Sequence, residues 1–283
     1  MPPKTKTLKP QTFTNTIVPL LKTQQFYWYV GHVSVLFSFV MYTVKSFFSS
    51  SLFYYKLTLL SVLLTYTIVL RQVHFKTLDS IKSPTFKQNL LKDENFHYFW
   101  LALTFFLVSG SVGAVSGALY SFTIFSLFHA LTYFQNNILG ALPTSLSQQQ
   151  AINSRINTFT TSYNEPALMV AANAELLLLS SFVFTIPFTP FRLFRAPVAA
   201  IANLWLFATV VVFLKLRYDS NKYTRTVVDS WDLRISQFLY SPQSQIIPQG
   251  VKDAYLVHFK GALQKYLGPI TFSKTVAPTK KNK

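Results

Sequence analysis

From Tyr98 to Phe134 the chain runs for about 37 residues without one Lys, Arg, Asp or Glu. A single straight helix of that length would be about 55 Å long, far beyond a bilayer hydrocarbon core of about 30 Å. The run must therefore turn. The small-residue patch "SGSVGAVSGA", 109–118, is where it is expected to do so, giving helical segments 98–116 and 118–134. Four further apolar segments stand beside these two, at 27–44, 52–70, 167–186 and 196–214. Such long runs suit membrane helices, not the period-two alternation of half-buried strands. The expected class is all-α: a polytopic membrane protein with four to six hydrophobic helices arranged as hairpins and amphipathic C-terminal helices.

Composition agrees with this class. Only 12% of residues are charged and mean hydropathy is +0.30, where soluble domains carry about 25% charged residues. The net charge of +17 gathers at the two ends. Lys4, Lys6, Lys9 and Lys22 precede the first span without an acid, and twelve Lys/Arg against four Asp lie between Lys215 and Lys283. Positive flanks beside apolar spans are read as cytosolic, and they complement an anionic cytosolic leaflet. Both termini are therefore expected on the cytosolic side, which an even number of crossings satisfies. Four crossings with one shallow or re-entrant hairpin and six crossings both fit. Nucleic-acid binding is not expected from a charge distributed in this way. The chain has no cysteine, which excludes disulfides, thiolate metal sites and thiol nucleophiles within it.

The segmentation that follows has four parts. Residues 1–25 form a basic, Thr- and Pro-rich tail, expected to be disordered and followed by a retained signal anchor near Phe26. Residues 26–215 form the membrane domain. Polar residues 135–163 return the chain to water, and Asn164 with Pro166 is expected to start the helix of 167–186. Residues 216–270 form a cytosolic amphipathic region, and 271–283 a polar basic tail. In "TVVDSWDLRISQFLY", Val227, Val228, Trp231, Ile235, Phe238 and Leu239 share one helical face, with Asp229, Asp232, Ser236 and Gln237 opposite or at its borders. That face is expected to lie in a membrane interface, or else to pack on the protein itself. A weaker helix is expected over 251–267.

Few residues offer chemistry. His129 stands alone within "FSLFHALTYF", with no carboxylate spaced to act with it. Glu175 is the sharper anomaly. An acidic residue at mid-span costs about 2.5–3.5 kcal/mol on insertion scales, of which Leu176–Leu179 return roughly 2 kcal/mol. It is expected to lock helices through hydrogen bonds, with Asn173, His129 or backbone groups as partners. A rival reading makes Glu175 and His129 the centre of an intramembrane transporter or enzyme. Gly113 and Gly117 form a GxxxG pair suited to close helix packing or to self-association. No phosphate loop or metal cluster is present in the sequence, and no cofactor is expected. The terminal "KKNK" places Lys280 and Lys281 fourth and third from the end, the dilysine pattern of endoplasmic reticulum retrieval.

Four stretches taken in order carry a family likeness. "LLKDENFHYFWLAL", "FSLFHALTYF", "NAELLLL" and "LKLRYDSNKYTRTVVDSWDLRI" resemble the transmembrane protein 33 family, which includes fungal pore-membrane nucleoporins and tetra-spanning endoplasmic reticulum proteins. The likeness spans roughly residues 70–240. It implies a non-enzymatic protein of the endoplasmic reticulum and nuclear envelope. It further implies roles in membrane shape and pore-complex assembly or distribution, with reticulon-type proteins and nuclear pore components as partners. No catalytic role for His129 is implied.

Overall fold

The computed structural model describes residues 13–77, 81–183, 185–241 and 246–269. Lys280 and Lys281 lie outside them, as do residues 1–12, whereas residues 13–20 of the tail expected to be disordered are helical. Among the described residues the protein is helical, with no strand. A short α1 (Phe13–Leu20) leads into α2 (Gln24–Ser46), which Thr23 caps by accepting from the Phe26 amide. The chain continues through α3 (Leu52–His74), α4 (Phe86–Lys92), α5 (Glu94–Val112) and α6 (Gly117–Tyr133). It then forms α7 (Leu146–Val183), α8 (Thr189–Arg195), α9 (Pro197–Ser220) and α10 (Lys222–Tyr240). Three of these, α2, α3 and α9, are long and apolar enough to cross a membrane.

The charge-free run turns inside the expected patch. α5 stops at Val112 and Gly113 takes φ +86°, a left-handed conformation that suits glycine. α6 starts at Gly117, so Gly113 and Gly117 do not share a helix face and the GxxxG reading fails at this position. Gly113 has open space where a Cβ would be, whereas a Cβ on Gly117 would stand 3.5 Å from Leu178 of α7.

Antiparallel packing builds a four-helix bundle from α2, α3, α5 and α6. Gly31 approaches Thr65, and Ser34 hydrogen-bonds Ser61 at 2.8 Å, which seats α2 on α3. His32 pairs with Ser126 at 2.9 Å and Tyr42 with Ser116 at 2.6 Å, which seats α2 on α6. His74 meets the Asp93 carboxylate at 2.6 Å, and Asp93 also caps α5, so one acid ties the end of α3 to the start of α5. Side chains between these pins, among them Tyr55, Leu59, Leu101, Phe105, Leu119 and Phe122, are fully buried. Small hydroxyl residues let the backbones approach and satisfy one another inside the apolar medium. α9 packs on α5, and α7 on α6.

The stretch around Asn164 departs from expectation. α7 is one helix of 38 residues that passes through Asn164 and Pro166 without starting there. Pro166 cannot donate to the carbonyl of Ser162, yet the turns on either side continue. The polar half, 146–163, stays helical because it docks on the end of α6: Gln135 donates to the Asn153 side chain at 2.9 Å, and Phe128 stacks on Phe159 at 5.8 Å. Tertiary contact thus keeps helical a polar stretch expected only to return the chain to water. The C-terminal segment, expected over 251–267, runs from Gln249 to Leu267 as alternating α and π turns.

Candidate functional site

Glu175 faces the centre of the bundle and is 2% exposed. Its hydrogen-bond and ion-pair partners come from two other helices. Tyr98 of α5 donates its hydroxyl to Glu175 Oε1 at 2.5 Å, and the Arg217 guanidinium of α9 stands 3.7 Å from Oε2. Arg217 also pairs with Glu94 at the start of α5, and lies over the Tyr98 ring at 5.1 Å. Tyr66 of α3 also stacks on Tyr98, nearly parallel at 5.8 Å. Phe122, Phe125 and Phe213 meet Tyr98 edge-on and close the shell.

Each partner has a local cause. Asp93 starts α5, so Glu94 falls in its first turn and Tyr98 one turn deeper on the same side. Arg217 is in the last turns of α9, where a cation also complements the helix dipole. Asn173 and His129, the expected partners of Glu175, make other contacts. Asn173 donates to the Met169 carbonyl and accepts from the Trp231 indole, and His129 packs against the Trp28 and His32 rings at 5.1 and 4.9 Å. Sequence reading passed over Glu94, Tyr98 and Arg217. Arg217 reads as a span-closing cation and Tyr98 as the first residue of an apolar run. A usable signal was present nonetheless, since three of the four stretches carrying the family likeness supply this cluster.

Chemically, the arrangement is a buried lock in which one cation, Arg217, is shared by two carboxylates, Glu94 and Glu175. Removing one partner of a buried ion pair strands the other, at about 3–5 kcal/mol. His129 belongs to a different neighbourhood that shares no residue with the lock. It borders an open cleft of about 450 Å³ with Phe128, Thr132, Thr160, Thr161 and Asn164, which supplies no carboxylate. A larger groove of about 680 Å³ between α6 and α7 is lined by Gly117, Ala174, Leu178 and other uncharged residues. Among the described residues, no group of three or more His, Asp or Glu is assembled to hold a metal ion.

α10 forms the second part of the site. Asn221 caps it by accepting from the Tyr223 and Thr224 amides, at 2.9 and 3.2 Å. It packs against α7, where the Trp231 indole donates to Asn173 Oδ1 at 3.2 Å. The predicted apolar face is divided between two surroundings. Val227 and Leu239 are buried against the protein, Val228 and Ile235 are half-buried, and Trp231 and Phe238 remain exposed. Its polar side holds the C-terminal segment, with Tyr255 donating to Asp232 at 2.9 Å and Lys260 bridging Asp232 and Ser236. Burial raises the Asp232 pKa, but the hydrogen bonds from Lys260 and Tyr255 outweigh it and hold the carboxyl below its usual range. Burial, reinforced by the bond to Asp232, pushes the Tyr255 phenol up to about 12.

Comparison with known proteins covers nearly the whole chain. The profile described as Transmembrane protein 33/Nucleoporin POM33 matches residues 8–262, well beyond the stretch on which the likeness was read. The "Pore and endoplasmic reticulum protein of 33 kDa" of Saccharomyces cerevisiae is 32% identical over 246 residues, covering 84% of this chain and 89% of the relative. The "Pore membrane protein of 33 kDa" of the same yeast is 30% identical, covering 87% and 84% respectively. "Tetra-spanning protein 1" of Schizosaccharomyces pombe is 26% identical across 99% of both chains. No solved structure matches.

Proposed function

Because the chain belongs to the Transmembrane protein 33/Nucleoporin POM33 family, we propose that it is a non-enzymatic multi-pass protein of the endoplasmic reticulum and nuclear envelope. There it organises membrane shape and supports the assembly or distribution of nuclear pores. The observation that carries this reading is the match along residues 8–262 to a family whose members are named for pores and for the endoplasmic reticulum. The lock supports it, because Glu175 is engaged by Tyr98 and Arg217 and is not presented to a solvent-filled pocket.

In this reading both termini are cytosolic, the number of crossings is even, and the basic ends meet an anionic leaflet. α10 lies at that surface, docked on α7 along one edge, and offers Trp231 and Phe238 to the bilayer. Partners are reticulon-type membrane-shaping proteins and pore components, and Lys280 and Lys281 serve retrieval.

A full-length tagged chain imaged at native abundance tests the proposal. The expected pattern is a nuclear rim together with the reticulum network, and a plasma-membrane or mitochondrial pattern overturns it. The double variant Glu175→Gln, His129→Ala should keep that location and support normal pore distribution. A well-folded variant that is correctly placed yet inactive would favour the intramembrane transporter or enzyme. Protease treatment of sealed microsomes should digest epitopes at both ends. Moving "KKNK" to a surface reporter should hold it inside the cell, unlike a Lys280→Ser, Lys281→Ser control.

A further inference from the structure

Phenylalanines face outward at the end of the bundle remote from Arg217. Three features define that end. Tyr42 in the last turns of α2 bonds Ser116 before α6, Lys56 near the start of α3 approaches Gly110, and Leu178 near the end of α7 meets Gly117. The α2–α3 turn and α8 both project there. Phe47, Phe48 and Phe53 come from the first, and Phe188, Phe191 and Phe194 from the second, all between 58 and 89% exposed. The α5–α6 turn between them carries no phenylalanine, and at Ser116 it is level with Tyr42, one turn short of the end of α2.

We propose that these six phenylalanines form a lipid-seated crown, inserted into the interfacial region of the leaflet towards which the α2–α3 turn and α8 point. Geometry puts them at that depth. α2 has 23 residues and α9 has 24, or about 35 Å each at a rise of about 1.5 Å per residue. A helix of that length that crosses a hydrocarbon core of about 30 Å ends in the headgroup zone. The residues directly beyond α2 and directly before α9 are therefore held at the boundary between acyl chains and headgroups. A soluble surface rarely gathers this much apolar area in one place. Lipid contact removes it from water, and the flanking cations suit the same depth. Lys45 and Lys56 stand beside the first triplet, and the exposed Arg192 and Arg195 alternate with the second. Their apolar stems can lie along the chains while the charged ends reach phosphate. In α8, Phe191 and Phe194 are three residues apart, so both fall on one side of a short helix lying in the plane.

The link at 187–197, between two apolar segments, is on this proposal a membrane contact and not an aqueous turn. Its consequence is mechanical. Two separate turns anchor the far end of the bundle in one leaflet while α10 occupies the other end, which fixes the tilt of the helices between them. The proposal needs α2, α3 and α9 to cross, but it does not depend on which compartment the termini face. Its failure would leave the localisation above untouched.

The cysteine-free sequence permits a direct test on the full chain reconstituted in phosphatidylcholine vesicles. Phe48→Cys, Phe191→Cys and Phe194→Cys are labelled singly with an environment-sensitive fluorophore, and Ser147→Cys, exposed on the polar half of α7, is the aqueous control. Variants that do not elute as the parent does in detergent are set aside, and three replaceable positions keep the measurement available. The expected result is blue-shifted emission at positions 48, 191 and 194 and quenching several-fold stronger than at 147. Lipids with a nitroxide near the headgroup should quench more than those with one at the chain end. Emission and quenching equal to the control would make these turns aqueous loops and overturn the crown. Blue-shifted emission that no nitroxide lipid quenches would mean that protein, such as a second copy, covers the phenylalanines, and would overturn it as well.

Discussion

Two of this protein's ion pairs lie in different media. Arg217 meets Glu175 where both side chains are 5% exposed or less, while Lys260 meets Asp232 with 36 and 44% of the two side chains open. The buried pair is surrounded by Tyr66, Tyr98 and three phenylalanines and joins α7 to α9 and α5. The open pair lays the C-terminal segment along α10. Their attraction is of the same kind, yet burial makes the first costly to break, whereas water screens the second. The bundle therefore behaves as one rigid unit, and the C-terminal layer as a detachable one.

Breaking the buried pair should have the largest effect. Arg217→Leu leaves Glu175 and Glu94 without their cation and should lower stability by about 3–5 kcal/mol. That loss would be read as a large fall in thermal midpoint in detergent and in cellular abundance. Adding Glu175→Leu should recover much of it, because an apolar replacement of the whole pair is often neutral. Glu175→Gln alone keeps an acceptor for Tyr98 and should fall between wild type and Arg217→Leu. An Arg217→Leu protein that melts with the wild type would show that the bundle does not rest on this lock.

The next effect concerns α10. A peptide spanning 221–241 should be mostly disordered in buffer and helical on small anionic liposomes, because ordering costs roughly 1–2 kcal/mol per residue that membrane burial must offset. Trp231→Asp with Ile235→Asp should abolish the transition and redistribute the full-length protein within the membrane network. If the peptide ignores liposomes of every size and charge, the face serves only to pack on α7.

A smaller change is expected at the turn. Gly113→Ala meets no neighbour, but its φ of +86° with ψ −168° lies in a region essentially reserved for glycine and should cost about 1–3 kcal/mol. Gly117→Ala keeps an ordinary φ and only touches Leu178, so it should cost less; equal losses would mean that packing, not backbone conformation, selects glycine at 113.

The smallest effect belongs to the open pair. Asp232 has a depressed pKa in the folded protein, so its contribution is present above the ordinary value of 3.8 and is lost as pH falls through the lower folded value. Acidification through that window, or Asp232→Asn at neutral pH, should increase amide exchange in 249–267 and leave α5 and α9 protected. The loss should be under about 1 kcal/mol. Simultaneous loosening of the bundle would erase the distinction between the two layers.

Local pattern by itself determined much of this protein. Long apolar runs set the all-α membrane class, the patch 109–118 placed the turn, and periodicity placed α10, because length, hydropathy and helical spacing are properties of consecutive residues. Glu175 stood out for the same reason, as one carboxylate in an apolar run. Only the tertiary structure decided what Glu175 meets. Tyr98 is 77 residues away from it, and the Glu94 that shares Arg217 is 123 residues from that arginine, so no window of sequence contains the lock. Tertiary contact also carried α7 through Asn164 and Pro166, where docking on α6 outweighs local helix-starting signals, and it divided the α10 face between protein and surroundings. A face records only that it must leave water, and the fold decides what it leaves water for.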